Sequence, residues 1–199
     1  MRVASCKRMA SAAVSRFMSL GMRHRRCCSG LAGGLLAACL AGAVYAQGVY
    51  QEPRVFLDEV FSGEVPPPKL LWVTNDLRPT IRDILGHDLN VLRIRYWSRD
   101  GISAWILEEV GKEEPITTGI VVRDNRIERI KVLIFRESRG WEVRYPFFTD
   151  QFDGAGLADR WQLDRSIDGV SGATLSVTAL TKLARLALFL HQRSEAAQG

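Results

Sequence analysis

The sequence predicts an α+β domain, an antiparallel β-meander with a packed C-terminal helix and an N-terminal helix. Three observations carry that class. Between residues 90 and 136 the apolar positions recur mainly with period two, in four runs separated by short polar turns. Over 174–192 the period becomes helical, and Ser176, Leu180, Leu183, Ala187 and Leu190 fall on one stripe. Residues 47–199 hold no cysteine, so a packed core and not a disulfide framework must hold that part together.

The elements follow in chain order. Residues 47–75 read as a lead-in, with a short helix over 52–61 carrying Val55, Phe56 and Val60, and an extended linker at Pro66-Pro67-Pro68. Residues 76–86 read as a helix capped by Asn75 or Asp76, with Pro79 in its first turn and Gly86 as its stop. Strands are expected at 90–98, 102–108, 116–122 and 127–136. The first two are joined at Arg99-Asp100-Gly101 and the last two at Asp124-Asn125-Arg126. Residues 137–167 are irregular and aromatic, a length more often functional than idle.

The net charge of +5 is misleading, because residues 1–46 hold seven Lys/Arg and no Asp/Glu. That leaves 20 basic against 22 acidic residues in 47–199, which removes the electrostatic case for a nucleic-acid partner. All four cysteines, Cys6, Cys27, Cys28 and Cys39, also precede residue 47. Cys-ligated zinc, iron–sulfur and c-type haem sites are therefore not expected in the remainder. Within 1–46, Arg23-His24-Arg25-Arg26 is followed by an apolar run from Gly30 to Val44 and by Val44-Tyr45-Ala46. This reads as an export signal cut after Ala46, with Met18 or Met22 as alternative starts. Lipidation at Cys39, in Leu36-Ala37-Ala38-Cys39, and an uncut membrane anchor are the alternatives. Each version places the domain outside the cytoplasm, in the periplasm or at an extracytoplasmic membrane surface.

The segment that carries chemistry is Asp168-Gly169-Val170-Ser171-Gly172-Ala173-Thr174. It is a small-residue loop feeding a helix start. Gly169 and Gly172 permit tight backbone geometry and close ligand approach. Unsatisfied N–H groups and the helix dipole favour an anion there, and phosphate is the natural guest. Thr174 places a hydroxyl beside that site. The competing reading of the same residues is an ordinary helix-cap loop, with Asp168 bonding turn backbone.

The segment resembles the flavinylation motif of the FMN-binding domain family, Asp-x-x-Ser/Thr-Gly-Ala-Thr/Ser, at every specified position. That family includes flavin subunits of the sodium-pumping NADH:quinone reductase and of Rnf complexes, and small exported single-domain members. The resemblance implies covalent FMN on Thr174, joined as a phosphoester by an FAD-dependent flavin transferase. Asp168, Ser171, Gly172 and Ala173 would surround the attachment point, and Ser176 sits where the family often has another hydroxyl. The family also has a Glu-Thr-Pro-Gly-x-Gly turn near the flavin ring. Here Glu137-Ser138-Arg139-Gly140-Trp141-Glu142 keeps Glu137 and Gly140, while Arg139 and Glu142 depart from it. Phe148-Thr149-Asp150-Gln151-Phe152-Asp153-Gly154 resembles a further family segment. The implied function is an exported electron-transfer flavoprotein, a carrier more than a stand-alone enzyme, facing a membrane redox partner such as a quinone- or haem-linked protein. A flavin subunit of a multi-subunit extracytoplasmic reductase, and a non-redox sensor or assembly module, remain alternatives.

Other candidates read as structural. His87 and His191 are far apart and read as solvated helix-end residues, so no metal site is expected. Ser171 lies in no Gly-x-Ser-x-Gly, which argues against a hydrolase. Glu108-Glu109 and Glu113-Glu114 read as solvated turns, and Arg93, Arg95 and Arg99 as an exposed strand face. Trp141, Tyr145 and Phe148 are either packing groups or, with a flavin present, lining for its pocket.

Overall fold

A computed structural model describes residues 48–196. Residues 1–46, read above as an export signal and containing Cys39, lie outside them. Five strands form one antiparallel sheet in sequential order: β1 (Lys69–Trp72), β2 (Arg93–Arg99), β3 (Ile102–Val110), β4 (Pro115–Arg123) and β5 (Arg126–Phe135). The expected meander and its turns are present. Asp100 and Gly101 have φ of 52° and 74°, and Asp124 and Asn125 have 50° and 59°, so both tight turns use the left-handed backbone that two-residue hairpins need.

Four helices surround this sheet: α1 (Pro53–Val60), α2 (Arg78–Leu85), α3 (Pro146–Thr149) and α4 (Thr174–Ala196). The predicted C-terminal stripe is buried throughout: Ser176, Leu180, Leu183, Ala187 and Leu190 all face the core. There Leu180, Leu183, Ala187 and Leu190 share one cluster with Trp105, Leu107, Ile116, Ile120 and Ile130 of the sheet and with Ile81, Ile84 and Leu85 of α2. The opposite sheet face is covered by α1. Phe56, Leu57 and Phe61 pack there on Ala104, Val121 and Leu133. The ring of Phe56 lies so close to β4 that a Cβ on Gly119 would stand 2.6 Å from it. Among the described residues no helix is long and apolar enough to cross a membrane.

Several local expectations need correction. The stretch after the triple proline is not only a linker: Lys69–Trp72 pairs with β2 from Lys69↔Tyr96 to Trp72↔Arg93 and forms an edge of the sheet. Helix α2 is not capped by the Asn75 or Asp76 side chain. Its N-cap is Leu77, and Thr74 O accepts the N–H groups of Leu77 and Arg78. Gly86 does end it, at φ 79°. The Arg99 guanidinium is not part of an open basic face, because it donates to the carbonyls of Phe61, the cap of α1, and of Glu64 in the turn that follows. Segment 137–167 contains α3 and three short 3-10 turns, and Phe148 and Phe152 lie in the core in edge-to-face contact at 5.5 Å.

Neither histidine is a merely solvated helix end. His191 is buried, with Nδ1 2.7 Å from Ser103 Oγ, which in turn accepts the Trp105 indole N–H at 2.7 Å. With the serine O–H given to Nδ1, the imidazole proton sits on Nε2, 3.4 Å from Glu195 Oε1. His87 Nε2 meets the Glu109 carboxylate at 2.9 Å, and Lys182 Nζ of α4 reaches its other oxygen at 3.1 Å. Glu109 is thus a buried carboxylate of β3 that ties the segment just after α2 to α4, not a turn residue.

These pairs set a pH dependence of stability. Burial pushes His191 below its usual 6.5, against the opposing charges of Glu195 and Asp124. The unfolded chain therefore binds a proton that the folded chain resists, and stability is lost as pH falls below about 6.5. His87 works in the other direction. It is raised by the Asp88 carbonyl and by Glu109, so its contribution is full below 6.5 and fades as pH rises through its folded value. Half of its side chain is exposed, so solvent screens that contribution and His191 dominates. Urea midpoints are expected to fall between about pH 7.5 and about pH 5, and to fall less in His191→Gln. A wild-type midpoint unchanged over that range would contradict the assignment.

Candidate functional site

The Asp168–Thr174 loop enters α4 through a β-turn. Ala173 N–H donates to Val170 O at 2.9 Å, and Gly172 occupies the third turn position at φ 81°, where a glycine is required. The helical ladder then begins with Val177 N–H to Ala173 O at 2.9 Å. Ala173 therefore stands at the cap position and has no side-chain acceptor to offer. The N–H groups of Thr174, Leu175 and Ser176 precede the ladder and have no helical partner. The first turn contains no acidic residue, so nothing there neutralises the positive end of a 23-residue helix.

A cleft of about 580 Å³ opens at this helix start. Its lining comes from three places in the chain: Lys112 in the β3–β4 turn, Glu137-Ser138-Arg139 after β5, and Gly172–Ser176. Of the residues singled out from sequence, Glu137, Gly172, Ala173, Thr174 and Ser176 line it. Thr174 is exposed, whereas Ala173 and Ser176 are buried. Gly140 supports the cleft from behind. It has φ 83°, and a Cβ on it would stand 2.9 Å from Ser176 Oγ and 3.2 Å from Ala173 Cβ. Asp168 and Ser171 are exposed on the entering loop and outside the lining. Asp168 N–H donates to Gln151 Oε1 at 2.7 Å, which joins the motif loop to the Phe148–Gly154 segment.

Glu137 has a definite structural task. Its Oε1 accepts the backbone N–H groups of Lys112, Glu113 at 2.7 Å and Glu114 at 3.0 Å. Partial burial would raise its pKa, but these three bonds and the nearby Lys112 charge hold the carboxyl below its usual range. The carboxylate thereby clamps the β3–β4 turn over the cleft. Gly111 allows the approach, since a Cβ there would lie 2.9 Å from Glu137 Oε1.

Lys112, Ser138 and Leu175 were not singled out by sequence reasoning, and Arg139 entered it only as a departure from the family turn. Lys112 sits in an unremarkable polar turn and reaches the cleft only through the folding of β3 and β4. The aromatic residues divide. Phe148 is core, while Trp141 and Tyr145 are outside the lining and pack around Arg144, whose guanidinium carbon lies 4.8 Å from the Tyr145 ring centroid. Among the described residues no cluster of His, Cys, Asp or Glu could hold a metal ion.

The donor set suits a phosphate-bearing ligand with an apolar part. It offers helix-start N–H groups, the side chains of Lys112 and Arg139, an exposed hydroxyl on Thr174, and Leu175 at 52 % exposure. Residues 111–188 match the family model described as "FMN-binding domain". The matched span contains the whole cleft lining. No curated protein and no solved structure matches the chain. The match supports a flavin-binding role in electron transfer.

Proposed function

Because the chain carries an FMN-binding domain over residues 111–188, we propose that it is an exported electron-transfer flavoprotein that holds FMN covalently on Thr174. One observation carries the attachment point. Thr174 is an exposed hydroxyl at the first position of α4, within the cleft and beside the helix-start N–H groups without a helical partner. The linkage is a phosphoester. The Thr174 oxygen bonds the FMN phosphorus of FAD, the pyrophosphate bond breaks, AMP leaves and the hydroxyl proton is released. An FAD-dependent flavin transferase supplies the catalysis, and the chain supplies the acceptor. A bound flavin can take two electrons together and release them singly.

Export is supported by the basic cluster at Arg23–Arg26, the apolar run that follows and the Val44-Tyr45-Ala46 site. Outside the cytoplasm a dissociating FMN would be diluted away, which favours a tether. A membrane redox partner, quinone- or haem-linked, fits the same setting.

The reading is tested by denaturing the yellow protein in acid after co-expression with such a transferase. Wild type should retain its flavin absorbance in the precipitate, and Thr174→Ala should retain none. Flavin absorbance retained by the alanine variant would refute the assignment.

A further inference from the structure

We propose that Arg139 and Lys112 act as a two-cation clamp on the FMN phosphate at the start of α4, so that the chain recognises this ligand by its phosphate. The inference rests on the reading of this cleft as the FMN site, and it concerns positioning residues outside the attachment motif.

Both cations line the same cleft as Gly172–Ser176, and each is set there by a separate device. Arg139 precedes Gly140, whose backbone lies against Ala173 and Ser176. The left-handed φ of Gly140, 83°, is what allows that approach, so Arg139 starts within side-chain reach of the helix start. Lys112 is fixed by its own N–H bond to Glu137 Oε1. Glu137 is the one acidic residue in the cleft lining, and its carboxylate is already engaged by three N–H groups. Those bonds all end on Oε1, and the Glu137 charge also acts on Lys112, so a bound phosphate competes with Glu137 for that lysine. Lys112 Nζ pairs with Glu113 Oε1 at 2.9 Å, but both side chains are 70 % exposed, and a solvated pair of that kind is readily exchanged. Arg139 contributes a planar fork that suits two phosphate oxygens at once, and the helix start adds its own N–H groups.

The geometry explains why an arginine can stand where the family turn has proline. The turn does not need proline to reach the helix, because Gly140 provides the close contact. The position is then free to carry charge toward the anion.

The test uses the full chain without flavin, titrated with FMN and with riboflavin, which lacks the phosphate, and followed by flavin fluorescence. FMN is expected to bind more tightly than riboflavin, with the difference shrinking as salt is added. Arg139→Ala should weaken FMN binding about tenfold and leave riboflavin binding unchanged, and Arg139→Lys should restore part of the loss. Lys112→Ala should act in the same direction with a smaller effect. The rate of FMN mass gain in the presence of the transferase should fall in parallel. Equal binding of FMN and riboflavin, no detectable binding of either, or an Arg139→Ala protein that binds both as wild type does would overturn the clamp. A wild-type chain that prefers FMN yet never gains its mass would support the clamp and defeat the Thr174 attachment, so the two fail separately.

Discussion

Gly140→Val is expected to destabilise the domain by about 2–4 kcal/mol, and to reduce flavin attachment with it. The residue has φ 83°, a conformation that costs an L side chain about 1–2 kcal/mol and costs a β-branched one more. The new Cβ would also meet Ser176 Oγ at 2.9 Å and Ala173 Cβ at 3.2 Å. Relief requires the Ser138–Gly140 turn to move away from the start of α4, and that movement opens the cleft. Gly140→Ala should show the same effects at roughly half the size, because the backbone cost remains while the branched methyl groups are absent. Urea unfolding gives the stability, and the mass of the co-expressed protein gives the attachment. A valine variant within about 0.5 kcal/mol of wild type would mean that the turn and helix are not packed as described.

Trp105→Ala is expected to cost about 3–5 kcal/mol, enough to unfold a domain of ordinary stability at moderate temperature. The indole is fully buried and lies stacked on Tyr96, with ring centroids 4.7 Å apart and planes 11° from parallel. Its N–H also supplies one of the two contacts that orient Ser103 toward His191. Removing it leaves a cavity between sheet and α4 and loosens the only contact at Nδ1 of that histidine among those described. Trp105→Phe separates these effects. It keeps most of the volume and the stacking while deleting the N–H donor, and should cost about 1–2 kcal/mol. Thermal unfolding should rank wild type above phenylalanine and phenylalanine well above alanine. Equal losses in the two variants would show that packing at this position is not what holds the sheet to the helix.

Much of this architecture was legible because its signals are local. Period-two strands around Asp100-Gly101 and Asp124-Asn125 announce hairpins, and the α4 stripe announces its buried face. Lys69-Leu70-Leu71-Trp72 was illegible as a strand. It is short, its apolar residues do not alternate, and its pairing depends on β2. The capping of α2 was misread because a backbone carbonyl, Thr74 O, does the work that Asn75 or Asp76 was expected to do. His191 looked solvated because its partners are Ser103 and, through it, Trp105, more than 80 residues earlier in the chain.

The candidate site divides in the same way. Gly172, Ala173 and Thr174 are close in sequence, and their turn and helix start could be read directly. Glu137 was marked through the family turn, but its hold on the β3–β4 turn needed the fold to become visible. Lys112 had no sequence signal at all, because a lysine in a polar turn acquires meaning only when Glu137 brings that turn to the cleft. Arg139 looked like a mismatch in the family turn, and its place beside the helix start changes that reading.

The covalent link at Thr174 is the central claim of the proposed function, and intact-mass spectrometry after co-expression with an FAD-dependent flavin transferase tests it most directly. Wild type should gain the mass of FMN less one water, and peptide mapping should place the addition on Thr174. Thr174→Ala should keep its unmodified mass under the same conditions. A wild-type chain left unmodified by an active transferase, or an alanine variant that gains the same mass, would contradict it.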